Sequence, residues 1–169
     1  MGNATIMTGT NSIVMTRTRN DWAVVPQTAQ FEEATIPYLD SVFRTAHTLL
    51  SNLKLAEQVT QATFAEAWNR RQAMDGNIRV WLFSLLLPQI RKRRSWFRRP
   101  GPRSAGDQIV ASLQTLPREQ GEVVLLADAE GFSGSEIAAI LGRELASVQR
   151  LLEQGRAGLE KTSRELETN

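Results

Sequence analysis

The sequence predicts an all-α fold of two small helical domains joined by a flexible linker. Apolar residues recur at intervals of three and four over 28–97 and 109–165, the period of a helix with one buried face. No stretch shows the alternation of a strand. Between the two parts, 98–106 contains two prolines, two glycines and three arginines, a composition that disfavours regular structure. We therefore place the linker at 98–108, and a chain of 169 residues is long enough for two such domains.

Composition excludes several classes of protein. The chain has no cysteine and one histidine, His47, so it offers no disulfide framework and no cluster of Cys or His metal ligands, and we expect no cofactor. The longest apolar stretch, 80–88, is too short to cross a bilayer, and the N-terminus lacks the pattern of a signal peptide. We expect a cytoplasmic protein without membrane insertion. Residues 1–27 show no clear period and are expected to form a disordered tail.

Four helices account for the first domain, which we place at 28–97. Thr28 can cap the first helix, and Pro37 suits the first turn of the second because an N–H there has no helical partner. The turn at 75–77 separates the third helix from the fourth. Pro88 lies inside the fourth and is expected to kink or split it. The predicted ranges are 28–35, 37–50, 55–71 and 78–94.

Four further helices are predicted for the second domain. Pro117 suits the start of the second of them. Ser133 and Glu136 match a capping box, in which each side chain accepts from the backbone N–H of the other residue. Gly142 follows the last apolar residue of that helix, where a C-terminal glycine is favoured. The predicted ranges are 109–116, 117–131, 133–142 and from Ser147 to about 165.

The last two helices have the pattern of a helix-turn-helix. A short capped helix, a tight turn at 143–146 and a second helix would let the second helix enter a major groove about 12 Å wide. Glutamine can pair with adenine there, and arginine with guanine. A plain helical hairpin has the same local pattern and remains an alternative. The candidate contacts to DNA are Arg143, Ser147, Gln149, Arg150 and Arg156.

A basic cluster at the end of the fourth helix is the second candidate site. Guanidinium and ammonium groups neutralise phosphates, and a neighbouring aromatic ring can stack on an unpaired base. A solvated charge run beside a linker is the alternative. A membrane-surface role is disfavoured because the apolar residues at 80–87 are spaced to fill a helical core. The candidate residues are Arg91, Lys92, Arg93, Arg94 and Trp96.

The chain from 31 to 161 resembles the extracytoplasmic-function sigma factors of the sigma-70 family. The segment Ala56 to Trp68 is similar to the helix of region 2 that binds the polymerase clamp. Val80-Trp-Leu-Phe83 and the basic run after it are similar to the strand-opening helix. Leu116-Pro-Arg-Glu-Gln120 and the segment 130–142 are similar to region 4. The order and spacing of these segments carry the resemblance.

The resemblance implies a mechanism in which the polymerase supplies all bond chemistry, so we expect no enzymatic activity. The recognition helix would read the upstream promoter element, and the helix at 78–94 would hold the non-template strand of the downstream element. Core RNA polymerase and promoter DNA are the expected partners, and an anti-sigma factor is a further one. The implied polymerase contacts are Glu57, Gln58, Gln61, Phe64 and Glu66.

The sequence departs from the family at several positions. Gln58 and Ala62 stand where the polymerase-binding helix is usually acidic, and 84–88 is apolar where the family is polar and basic. Positions that are usually basic in the recognition helix are here Gln149, Leu151, Gln154 and Gly158. These departures favour a second hypothesis, a sigma mimic that binds an anti-sigma factor without binding DNA. The basic cluster favours the sigma factor, and the weakly charged recognition helix favours the mimic.

Overall fold

The computed structural model describes residues 27–74, 76–94 and 108–167, and these ranges hold α-helices, short 3₁₀ and π turns, and no strand. The prediction of an all-α fold is therefore confirmed. The proposed tail, apart from Gln27, the last three residues of the first predicted domain (95–97) and 98–107 of the proposed linker lie outside the described residues. The helices are α1 Gln27–Thr35, α2 Leu39–Leu50, α3 Leu53–Asn69, α4 Ile78–Arg94, α5 Gln108–Thr115, α6 Arg118–Val124, α7 Gly134–Leu141 and α8 Leu145–Glu167.

Helices α2, α3 and α4 form a three-helix bundle in which each helix contacts the other two. Ser51 takes a left-handed conformation that ends α2, and its N–H donates to the His47 carbonyl oxygen. Asn52 then caps α3 by accepting from the Leu55 N–H at 2.9 Å. This sharp connection turns the chain back, so the apolar faces of the two helices meet.

Helix α4 runs through Pro88 without a break, so the expected split does not occur. A proline inside a helix costs about 3 kcal/mol because it removes an N–H and crowds the preceding turn. Around the exposed proline, Leu86, Leu87 and Ile90 are almost completely buried. Each such burial contributes about 1.5–3 kcal/mol. The three burials together outweigh the cost of the proline, and the segment stays helical.

The capping box of α7 forms as predicted. The Ser133 hydroxyl accepts from the Glu136 N–H at 3.3 Å, and the Glu136 carboxylate accepts from the Ser133 N–H at 2.8 Å. Gly142 ends the helix in a left-handed conformation with φ of 62°. Helix α8 begins at Leu145, two residues before the expected start at Ser147.

Two glycines in α8 allow the neighbouring segments to approach closely. A Cβ atom on Gly155 would lie 2.5 Å from Cγ2 of Val124, and one on Gly158 would lie 2.5 Å from Cδ2 of Leu116. Glycine costs a helix about 1 kcal/mol relative to alanine. Here the absence of a side chain lets α8 pack closely against Leu116, just before α6, and against Val124 at the end of α6.

A large apolar core joins α2, α3 and α4 to the second half of the chain, and a smaller cluster of Phe31, Ala67 and Leu82 lies between α1, α3 and α4. Phe83 of α4 meets Phe132 edge to face, with ring centroids 4.8 Å apart. The core includes residues of both halves. Its largest fully buried members are Phe83, Leu86, Leu87, Ile90, Leu126, Ile137, Val42, Val59, Val123 and Val148. The halves are thus packed together here, and the boundary proposed at 98–108 remains a prediction. Among the described helices, none is both long and apolar enough to cross a membrane.

Candidate nucleic-acid interface

Helix α8, the predicted recognition helix, has one buried face and one polar face. Val148 is fully buried, and Leu151 and Leu152 are half-buried against the core. On the other side, Gln149 and Arg150 are exposed. This division leaves the two residues most able to read base edges on a surface that the core does not cover, as a helix-turn-helix requires.

Two of the predicted DNA-binding side chains, Ser147 and Arg150, contact each other at the start of α8. Ser147 is half-buried, and its hydroxyl accepts from Arg150 at 3.5 Å. Arg150 also donates to the Ala146 carbonyl oxygen at 3.4 Å. The contacts of Arg150 thus lie on its own helix and are long. A base or a phosphate can replace them at little cost in energy.

Arg143 and Arg156 each pair with a carboxylate from α6 or the turn after it. Arg143 donates to Glu119 at 2.5 Å, and Arg156 makes two bonds to Asp128, at 2.5 and 3.2 Å. The bonds to Asp128 raise the pKa of Arg156 above its ordinary value. Both pairs are largely exposed, so water and salt screen them and each stabilises the fold only weakly. Phosphate oxygens can therefore displace these carboxylates.

Arg91 has a partner of a different kind. Its Nε and Nη2 atoms donate to Oε2 of Glu122 at 3.1 and 2.6 Å, and Glu122 is fully buried. The hydrogen bond to Glu122 is the main reason why the pKa of Arg91 is raised. This buried ion pair ties α4 to α6. In this arrangement the guanidinium of Arg91 is held by a fully buried carboxylate.

Lys92 and Arg93 are the other residues of the basic run whose side chains the structure describes. Lys92 is exposed, and half-buried Arg93 donates to the Gln58 side-chain oxygen at 2.7 Å. Arg94 is the last residue of α4, and its side chain lies outside the described atoms, as does Trp96. The structure therefore brings together Lys92, Arg93 and Gln58, two predicted DNA contacts and one predicted polymerase contact.

The predicted polymerase-binding residues lie along α3. Glu57, Gln58 and Gln61 are exposed, and Phe64 and Glu66 are half-buried. Glu66 pairs with Arg70 one turn later at 2.5 Å. Beside this face a cavity of about 390 Å³ opens between α2 and α3. The arrangement offers a mixed polar and apolar surface of the kind that interfaces use. The partner of this surface remains a prediction.

Glu130 is the residue that sequence reasoning missed. Its side chain is 2% exposed, and its carboxylate accepts from Arg44 at 3.4 Å, Thr45 at 3.0 Å, Arg79 at 3.2 Å and the Ser41 hydroxyl. Arg79 also donates to the Glu130 backbone oxygen and lies 4.1 Å from the Phe132 ring centroid. We call these residues the Glu130 cluster; they join α2 and α4 to the turn before α7. The sequence Glu130-Gly-Phe-Ser133 is part of the segment that resembles region 4, but it does not indicate which residues contact Glu130.

A second polar contact supports the same interface. Asn77, before α4, donates to the Glu136 carboxylate at 3.0 Å. The backbone N–H and hydroxyl of Ser133, followed by weaker effects of Arg79 and Asn77, hold the pKa of Glu136 below its ordinary value of 4.5. Within the described ranges, no group of three or more His, Asp or Glu side chains could hold a metal ion.

The chain is similar to known proteins in both sequence and fold. Residues 106–159, which include most of α5 to α8, match the family model described as sigma-70, region 4. The chain is 30% identical over 163 residues to the ECF RNA polymerase sigma factor SigE of Mycolicibacterium smegmatis. That match covers 82% of this chain and 62% of the relative, so the chain spans less than two thirds of the relative's length.

Two solved structures share the fold. One is the sigma factor RpoE in complex with the anti-sigma factor NepR from Bartonella quintana, with 24% identity, a TM-score of 0.67, and 80% of this chain and 97% of that chain covered. The other is CnrH in complex with the cytosolic domain of CnrY, with 26% identity, a TM-score of 0.71, and coverage of 83% and 91%. These similarities confirm the all-α fold and the predicted resemblance to extracytoplasmic-function sigma factors.

Proposed function

We propose that this chain is a sigma factor of the extracytoplasmic-function type, which binds core RNA polymerase and promoter DNA and directs transcription initiation. One observation carries the proposal. The sequence that matches sigma-70 region 4 folds into α5 to α8, and Gln149 and Arg150 stand exposed near the start of α8. The polymerase supplies the bond chemistry, so the chain needs no catalytic residue of its own, and the proposed compartment is the cytoplasm.

In this proposal, α8 reads the upstream promoter element. Gln149 and Arg150 are the base-reading residues because they are exposed and have no carboxylate partner within the described residues. Arg143 and Arg156 contact phosphates after they leave Glu119 and Asp128. Each phosphate contact changes the slope of log affinity against log salt by about 0.9 on duplex DNA. The slope of log affinity against log salt therefore measures how many phosphate contacts the chain makes.

The downstream element is assigned to the end of α4. Lys92 and Arg93 lie on the surface there, and the basic run continues through Arg94 towards Trp96 in the sequence. Cations that follow the strand and a ring that stacks on an unpaired base are the usual means of binding single-stranded DNA. The exposed face of α3, with Glu57 and Gln61, is assigned to the polymerase.

A sigma mimic is the second candidate function. Arg91, Arg143 and Arg156 pair with carboxylates of this chain, so three of the predicted DNA contacts are engaged within the protein. Both similar structures are complexes, and in one of them the partner is an anti-sigma factor. A mimic would keep the halves packed together and bind such a partner, without binding polymerase or DNA.

Reconstitution separates the two functions. The purified chain is mixed with core RNA polymerase, the complex is isolated by size exclusion, and transcription is measured on a template with a pre-melted bubble. A sigma factor co-elutes with core polymerase and yields transcripts that core polymerase alone does not make. A matched variant, Gln149→Ala with Arg150→Ala, should still co-elute but lose transcription from duplex promoters. Failure to bind core polymerase, together with tight binding to an anti-sigma factor, would replace the proposal with the mimic.

A further inference from the structure

A basic cavity lies between the start of α3 and the end of α4. Its volume is about 580 Å³, and it is lined by Leu55 and by six polar or charged residues: Asn52, Lys54, Gln58, Gln89, Lys92 and Arg93. Three of the described lining residues are cations and none is a carboxylate. Cavities of about 300–1,000 Å³ are the size that holds small ligand groups. The cavity thus combines the dimensions of a binding site with charge of one sign.

No acidic residue of α3 lines the cavity. Glu57, the nearest acidic residue on α3, lines the separate groove between α2 and α3. The first turn of α3 holds Lys54 and no acidic residue. A lysine there is unfavourable because the N-terminal end of a helix carries partial positive charge. Lys54, Lys92 and Arg93 together make this the place for an anion.

The side chains of the cavity are also partly arranged in advance. Gln58 accepts from Arg93 at 2.7 Å, which fixes the guanidinium at the wall of the cavity. Gln58 and Gln89 bring amide groups that can donate as well as accept. A cavity that offers only ammonium and guanidinium groups suits any anion. One that adds two amides suits a nucleotide, because phosphates accept and base edges do both.

We propose that this cavity binds the phosphodiester backbone of single-stranded DNA, with Lys54 as a phosphate contact outside the basic run. The inference rests on the proposed function, since Lys92 and Arg93 belong to its downstream contacts. It adds Lys54 and Gln89 from two different helices. A single strand is favoured over a duplex because a flexible strand can bend into a concave site. An acidic peptide would match the charge but would make less use of the amides.

The expected effect of removing one contact follows from counterion release. Each phosphate contact with a single strand contributes about 0.7 to the slope of log affinity against log salt. Loss of the Lys54 contact should therefore weaken binding about fourfold at about 0.15 M salt and about eightfold at about 0.05 M salt. The change in slope distinguishes a direct phosphate contact from a general loss of structure.

The test measures the binding of a fluorescein-labelled oligodeoxythymidylate to the full chain by anisotropy, from low to moderate salt. Lys54→Gln should lower both affinity and slope. The matched control is Lys161→Gln, an exposed lysine on α8 that does not line the cavity. Gln89→Glu places a carboxylate in the cavity with little change in shape and should weaken binding at least as much. Circular dichroism melting checks that each variant remains folded.

The outcomes separate this inference from the proposed function. If the wild-type chain binds the oligonucleotide and Lys54→Gln binds with the same affinity and slope, the cavity assignment is wrong although the sigma factor proposal can stand. If Lys54→Gln impairs binding of a poly-glutamate peptide and leaves DNA binding unchanged, the cavity is a peptide site and the inference is overturned. Absence of transcription with core polymerase refutes the proposed function by its own assay.

Discussion

Replacing Glu130 by alanine tests the Glu130 cluster, which joins the two halves of the molecule. The side chain of Glu130 is 2% exposed and accepts hydrogen bonds from two hydroxyls and two arginines. Its removal leaves Arg79, which is 28% exposed, without its carboxylate partner. The same change removes the acceptor for Thr45, which is fully buried. Glu130→Ala therefore leaves Arg79 and Thr45 without their acceptor at a place where water can replace it only poorly.

The size of the effect can be worked out from these exposures. Removal of one partner from a buried ion pair costs about 3–5 kcal/mol. Arg44 is 57% exposed and contributes little, and Arg79 is only partly buried, so the lower end of that range applies. We expect the free energy of unfolding to fall by about 3 kcal/mol, roughly a hundredfold in the unfolding equilibrium. The melting temperature should fall by about 6–12 °C.

Urea unfolding followed by circular dichroism measures this difference, with Asp40→Ala as the matched control. Asp40 pairs with the same Arg44 at 2.9 Å, but its side chain is 84% exposed. An exposed pair of this kind at the start of a helix is worth about 1 kcal/mol or less. Glu130→Ala should therefore be several times more destabilising than Asp40→Ala. Equal effects of the two variants would refute the claim that the buried carboxylate holds the halves together.

Three further predictions concern α7 and α8. Because the pKa of Glu136 is lowered in the folded state, its contribution to stability is present above about pH 4.5 and is lost as the pH falls through its folded-state value. Glu136→Gln should thus lower the melting temperature at pH 7, and the difference should shrink in acid; a difference constant with pH would contradict this. Gly155→Ala should destabilise by about 1–2 kcal/mol in urea, since the clash with Val124 exceeds the gain in helix propensity; a more stable variant would contradict the close packing. Arg150→Ala should remove the preference for one base among duplexes selected from a random library; an unchanged selected sequence would exclude base reading by Arg150.

Local features of the fold could be predicted from the sequence. The capping box at Ser133 and Glu136 formed because both partners lie within one turn, so the pattern itself specifies the contact. The start of α8 was placed two residues late because Ser147 looks like a cap. The Glu144 carbonyl oxygen instead accepts from the N–H groups of Ser147 and Val148, which places the first turn earlier.

Contacts between distant segments could not be predicted in this way. The partners of Glu130 lie 51 to 89 residues away, and no local pattern links a glutamate in a turn to a serine on α2. The inward orientation of Arg91, by contrast, could have been predicted from the helical spacing of its neighbours. Arg91 lies one helical turn after Leu87, which is 1% exposed, and next to Ile90, which is fully buried. The helical period therefore turns Arg91 towards the protein while Lys92 faces solvent.

The pairing of Arg91 with Glu122 bears on how the halves can separate. In the packed arrangement Glu122 forms its ion pair only after it leaves water. A carboxylate that leaves water loses several kcal/mol of solvation free energy. Separation of α4 from α6 returns water to Glu122, including its Oε1 atom, which has no hydrogen-bond partner within the described residues. The hydration that Glu122 regains largely offsets the attraction to Arg91 that is lost. The pair therefore sets the alignment of the two halves more than it opposes their separation. Lys92 and Arg93 are accessible before any such movement, whereas Arg91 becomes available to a phosphate only after it.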